Sequence, residues 1–134
     1  MANQATFVYE GHFTNDATWD IPKNFKANGY EVHMFFLGLV NPDLSELRVI
    51  DRVKEGGHYV PRNTVEDNYY GNLEKLNKYF SILDHLNIID TSESEPVLLA
   101  SFANGEAIAS IPVNNLPMWF IENLTNLVKK IKTK

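Results

Sequence analysis

Arg48 and Arg52 lie four residues apart in the run LRVIDRV, a spacing that puts both guanidiniums on one face of a helix. Each presents a planar fork of N–H donors suited to phosphate or carboxylate oxygens. The plainer alternative is that both pair with Asp51 and Glu55 on a solvated face. Gly56-Gly57-His58 comes next, a flexible turn holding an imidazole. Glu10 and His12, two apart at the end of an apolar run, would point the same way from a strand. Open α/β sheets bind ligands in the crevice beyond such strand ends. General acid–base chemistry, hydrolysis of an ester included, is one use of the pair; a strand turning polar as it reaches solvent is the other reading. Asp90, Thr91 and Ser92 end a further apolar run and can line the same crevice. His33 and His85 read as structural, no two histidines have the sequence spacing of metal ligands, and no metal is assigned. Tyr69-Tyr70 and Tyr79-Phe80 recur at helical spacing and read as core.

The elements that must position these groups emerge from hydrophobic period and punctuation. Residues 5–9 (ATFVY) read as a short strand, followed by a polar turn at Thr14, Asn15 and Asp16. Pro22 fits the first turn of a short helix that Asn28-Gly29 stops. Residues 30–39 (YEVHMFFLGL) form the strongest strand, its apolar middle predicting a central position covered on both faces. Asn41-Pro42-Asp43 opens a helix with a cap, a proline and an acid, and Leu44, Leu47, Ile50 and Val53 are its predicted buried stripe up to Gly56-Gly57. Asn63-Thr64-Val65-Glu66 has the form of a capping box. Val65, Tyr69, Leu73, Leu76, Phe80 and Leu83 then predict a helix of about 20 residues, with Gly71 as its weak point or bend. Residues 87–90 read as a strand. Residues 97–103 and 106–111 flank Asn104-Gly105 and read as a hairpin with a type I′ turn. A last helix from about Pro117 faces inward with Phe120, Leu124, Leu127 or Val128, and Ile131. The order predicts one α/β domain over residues 1–134, its first three strands mostly parallel and the hairpin extending one edge.

Composition bounds the function. The chain has 134 residues and a net charge of −5, which argues against a nucleic-acid partner held by charge. It has no cysteine, so disulfides, thiolate nucleophiles and Cys-ligated zinc are excluded. No apolar run approaches the roughly 18 residues of a membrane span and Met-Ala-Asn-Gln is no signal peptide; a cytoplasmic, non-membrane protein is expected. None of the seven glycines is followed by lysine, so the phosphate-cradling motif Gly-x-x-x-x-Gly-Lys-Ser/Thr does not occur.

Between Gly29 and Leu76 the text GYEVHMFFLGL, LRVIDRV and KEGGHYVP, leading into the helix with Tyr69 and Leu73, resembles the zeta-toxin family of P-loop kinases in order and spacing, without gaps. Upstream, FVYEGHF resembles the family's strand ending in a substrate-facing glutamate; downstream, IIDTS resembles its final core strand. The resemblance implies a partial P-loop NTPase-like three-layer sandwich, and phosphorylation of a hydroxyl on a small metabolite, notably a UDP-linked amino sugar, with ATP and Mg²⁺. It implies Glu10 as substrate-side carboxylate or base, Arg48, Arg52 and His58 toward nucleotide phosphates, and His12 and Asp90 toward substrate. Two departures stand out. The family's strand, Walker A loop and helix have no counterpart before residue 5, and the arginine-rich run of its lid helix reads Asp67-Asn68-Tyr69 and Gly71. Loss of one phosphoryl-stabilising contact commonly costs about 10³-fold in rate or more. A chain inactive by itself is therefore expected: a fragment or degenerate kinase, or, in a different class, a non-catalytic interaction module. An uncovered sheet edge predicts rearranged strand pairing or a homo-oligomer; an antitoxin or an N-terminal kinase portion is the other partner the resemblance implies.

Overall fold

The computed structural model describes residues 6–133. It is a mixed α/β structure with a four-stranded sheet and five helices. The first helix, α1 (Asp16–Ala27), starts six residues before Pro22, because the Asn15 side chain accepts the Thr18 N–H at 2.8 Å and makes the cap. Pro22 sits buried inside it. Strand β1 (His33–Gly38) leads to α2 (Pro42–Lys54), capped as expected by Asn41. Next comes α3 (Arg62–Tyr79), which begins at Pro61 without a side-chain cap; the expected box at residues 63–66 does not form, and Arg62 pairs with Glu66 instead. A 3-10 turn (Phe80–Ile82) leads into β2 (His85–Asp90), then β3 (Val97–Ala103) and β4 (Glu106–Ser110). Asn104 and Gly105 both have positive φ, 51° and 81°, as a type I′ turn requires. The last helical stretch is two helices, α4 (Met118–Asn123) and α5 (Thr125–Lys132). Asn77 of α3 accepts the Asn126 N–H at 2.8 Å and so caps α5 where a single helix would run on.

The sheet order is β1-β2-β3-β4. Among the described residues only β1 and β2 are parallel; β2–β3 and β3–β4 are antiparallel, which corrects the mostly parallel expectation. The expected strand at residues 5–9 is absent over residues 6–9, which make no ladder, and Ala5 lies outside the described residues. A strand persists only where a neighbour takes its backbone groups. In consequence β1 is an edge strand among the described residues, not a central one.

One apolar cluster fills one face of the sheet. Leu86, Ile88, Phe102 and Ala107 meet Trp19, Leu73, Leu76, Trp119, Phe120 and Leu124 there. The α3 stripe is borne out: Val65, Leu73, Leu76, Phe80 and Leu83 are all buried. The α2 stripe is not, since Leu47 and Ile50 are exposed while Pro42 and Val49 are buried. Gly71 lies inside an unbroken α3; a Cβ there would come 3.0 Å from the Thr14 Cβ, so the glycine admits the chain preceding α1. At Gly38 a Cβ would overlap the Trp119 ring, which brings α4 against β1. The opposite sheet face stays open along β1, where Phe35 and Leu37 are 67% and 62% exposed. The described residues build no third layer over it.

Asp16, in the first turn of α1, joins that helix to α3. The Tyr79 hydroxyl donates to it at 2.7 Å and Lys75 approaches to 3.2 Å. These contacts, Tyr79 foremost, hold its carboxyl down at about 2 from the usual 3.8. A group depressed on folding stabilises above its unfolded value and loses that contribution as pH falls through the folded value. Asp16→Asn is therefore expected to melt below wild type at pH 7, with the two melting curves converging toward pH 2. A gap that is unchanged at pH 2 would show that the carboxylate plays no part.

Candidate functional site

β1 and β2 end side by side, and the segments leaving the two strands build a cleft. The Thr91 N–H and hydroxyl both donate to the Gly38 carbonyl, at 2.8 and 3.0 Å. Arg48 of α2 in turn donates to the Thr91 carbonyl at 2.6 Å, laying α2 across the strand ends. Arg62 locks α2 to α3, reaching Asp43 and Glu66 at 2.8 Å each and Glu46 at 3.5 Å. Asp43, Glu46 and Glu66 are thereby engaged by Arg62 and not by the two cleft arginines. Asp51 lies on the outer side of α2 beside Arg48 and Arg52 without an ion pair to either.

The cleft has a volume of about 230 Å³. Ser45, Arg48 and Arg52 line it from α2, Asn68, Tyr69 and Asn72 from α3, and His12 from the segment before α1. The Tyr69 hydroxyl donates to the Leu39 carbonyl at 2.7 Å, and burial pushes its phenol up to about 12, so it remains a donor at neutral pH. Asn72 fixes His12. Its Oδ1 accepts the Phe13 N–H at 2.7 Å, which leaves its amide N–H to donate to His12 Nδ1 at 2.9 Å. Neutral His12 then carries its proton on Nε2.

Of the residues singled out from sequence, the fold brings His12, Arg48 and Arg52 together. Neither arginine pairs with Asp51 or Glu55, and the Arg52 guanidinium has no partner among the described residues. Glu10 and His58 are exposed and do not line the cleft; Asp90 lies outside its lining and accepts from the Ser92 N–H and hydroxyl at 2.9 and 2.6 Å. Tyr69 and Asn72 are not legible as site residues from the sequence. Their one signal is that polar Asn68 and Asn72 flank the apolar stripe of α3 at helical spacing.

Two guanidiniums, an imidazole and two carboxamides suit an anion, and the lining residues include no carboxylate and no lysine. Trp119, whose ring also lines the cleft, has a buried indole N–H with no partner among the described residues. Phosphate oxygens fit this set. Magnesium-bound triphosphate does not: it needs a ring of backbone amides and hard oxygen ligands for the metal, and Ser45 is the one hydroxyl of aliphatic type on the wall.

The family model described as zeta toxin matches residues 1–101. A Haemophilus influenzae protein described only as uncharacterized is 29% identical over 63 residues, which are 47% of this chain and 45% of that protein, so the match spans under half of the relative's length. No solved structure matches the chain. Across the described residues no helix is long and apolar enough to cross a membrane. With three quarters of its length matched, the chain belongs to the zeta toxin family, whose members have a kinase-like function.

Proposed function

We propose that this chain forms the phosphate-facing and substrate-facing part of an ATP-dependent small-molecule kinase and does not transfer phosphate by itself. The observation that supports this reading is the cleft at the C-terminal end of β1, positive through Arg48 and Arg52 and free of metal-binding carboxylates. Arg52 is the primary phosphate contact, because its planar fork of donors is uncommitted. Arg48 shapes the wall, holding Thr91 while lining the cleft. His12, oriented by Asn72, lies on the substrate side. Glu10, two residues before His12, is the base that the family pattern assigns, and it would reach substrate only once the exposed segment carrying it closes over the cleft. The ligand class is a UDP-linked amino sugar, whose diphosphate meets the guanidiniums. ATP and Mg²⁺ require a triphosphate cradle that these 134 residues do not contain.

Calorimetric titration tests the reading. A UDP-linked amino sugar is expected to bind, Arg52→Ala to weaken it by about tenfold or more, in line with the loss of a charge-assisted contact, and Arg48→Ala to weaken it while also lowering the melting temperature. Binding that is indifferent to both arginines would overturn the assignment.

A second reading rests on a separate observation. β1 has an unpaired outer edge among the described residues and exposes Phe35 and Leu37 beside it. An edge of this kind invites strand addition, and we propose a second copy of this chain as its occupant, joined across a two-fold axis. Light scattering is expected to give twice the chain mass, and Phe35→Lys to return the protein to a monomer. A wild-type monomer at all concentrations tested would exclude the pairing.

A further inference from the structure

At the other end of β1 from the cleft, three side chains meet that the sequence keeps far apart. β1 and β2 are parallel and in register from their first residues, so His33 stands directly opposite His85. Residues aligned in this way project from the same face of the sheet, and the two imidazole centroids are 4.6 Å apart. Glu31, two residues before His33, reaches the same place. Its Oε1 lies 3.3 Å from His33 Nε2 and 3.9 Å from His85 Nε2, and one ligand atom from each residue can be chosen with all three within 4.8 Å of one another. A tetrahedral zinc ion with bonds of about 2.0–2.1 Å sets its donors about 3.3–3.4 Å apart. The Glu31–His33 separation already has that value, and a small turn of the exposed His85 ring brings in the third donor.

We propose that Glu31, His33 and His85 bind one zinc-class divalent ion, with solvent in the fourth position. The donor set argues for the class of ion. Two imidazoles and a carboxylate suit zinc and its neighbours, whereas magnesium and calcium call for all-oxygen shells. The surrounding charge agrees: Asp84 lies beside His85 in the chain, and its carboxylate accepts the Val32 N–H at 2.7 Å and meets Lys26 at 3.4 Å. Glu31 and Asp84 thus outweigh the one lysine. The side chains of Glu31, His33 and His85 are 73%, 53% and 45% exposed, so an ion can reach all three from solvent. The site is separate from the cleft, since six residues of β1 span about 17 Å. Binding there ties the first residues of β1 and β2 together and stabilises the fold by mass action.

The test is titration of metal-free protein with Zn²⁺ against a chromophoric chelator, with Co²⁺ as a spectroscopic substitute. One ion per chain is expected at micromolar concentration, with the intense visible bands of tetrahedral Co²⁺ and a raised melting temperature. His33→Ala and His85→Ala should each weaken binding at least about tenfold, with Glu31→Gln weakening it less and His58→Ala leaving it unchanged. The three side chains are exposed, so the variants should melt like wild type in metal-free buffer, and this is measured alongside. No binding in the micromolar range, half an ion per chain, or affinity indifferent to both histidine variants would each overturn the site.

Discussion

The cleft depends on one carbonyl oxygen. Gly38 ends β1, and its oxygen accepts both the backbone N–H and the hydroxyl of Thr91, the residue next after β2. That pair of hydrogen bonds keeps the two parallel strands ending level. Arg48 then closes on the Thr91 carbonyl and holds α2 over the strand ends. The same glycine leaves room for the Trp119 ring, which packs α4 beneath the site. Strand termination, helix placement and the cleft wall are therefore coupled through residues 38, 48 and 91. A ligand held by Arg52 would bind next to that lock, which explains how a short chain with one open sheet face can still present an ordered site.

Much of this is legible in the residues. The stripe from Val65 to Leu83, the Asn41-Pro42 helix start and the Asn104-Gly105 turn are local signals: each depends on period or on backbone torsion within a few residues, and each is realised. The departures share a cause of the opposite kind. Met34 to Leu37 reads as a doubly covered strand, yet whether a strand is central depends on neighbours far away in the chain, and β1 is an edge. The expected α2 stripe fails because Leu47 and Ile50 are more apolar than Ser45 and Arg48, while the cleft claims the polar face of the helix. Arg48 and Arg52 are visible from their spacing, but Asn72 is not, since its partners Phe13 and His12 lie 59 and 60 residues away. His33 and His85 are 52 residues apart and become neighbours only through strand register.

Membership of the zeta toxin family and the content of the cleft point in complementary directions. The family is kinase-like, and its model matches residues 1–101, a range that contains the strand ends, the α2 arginines and the GGH turn. The cleft nevertheless offers donors for phosphate oxygens without the hard ligands that hold magnesium, and α3 has Asp67, Asn68 and Gly71 where the sequence resemblance implies cationic residues. Electrostatic stabilisation of a transferring phosphoryl group is most of what a kinase supplies. The proposed role, holding a diphosphate ester without transferring phosphate to it, follows physically from that set of residues.

Phosphate transfer from γ-labelled ATP, measured on the purified chain with Mg²⁺ and a UDP-linked amino sugar, tests the central claim most directly. The account predicts no labelled product above the protein-free background, with the sugar nucleotide still bound. Labelled product formed by the wild-type chain and lost in Arg52→Ala would contradict it, because the cleft would then support phosphate transfer without a triphosphate cradle.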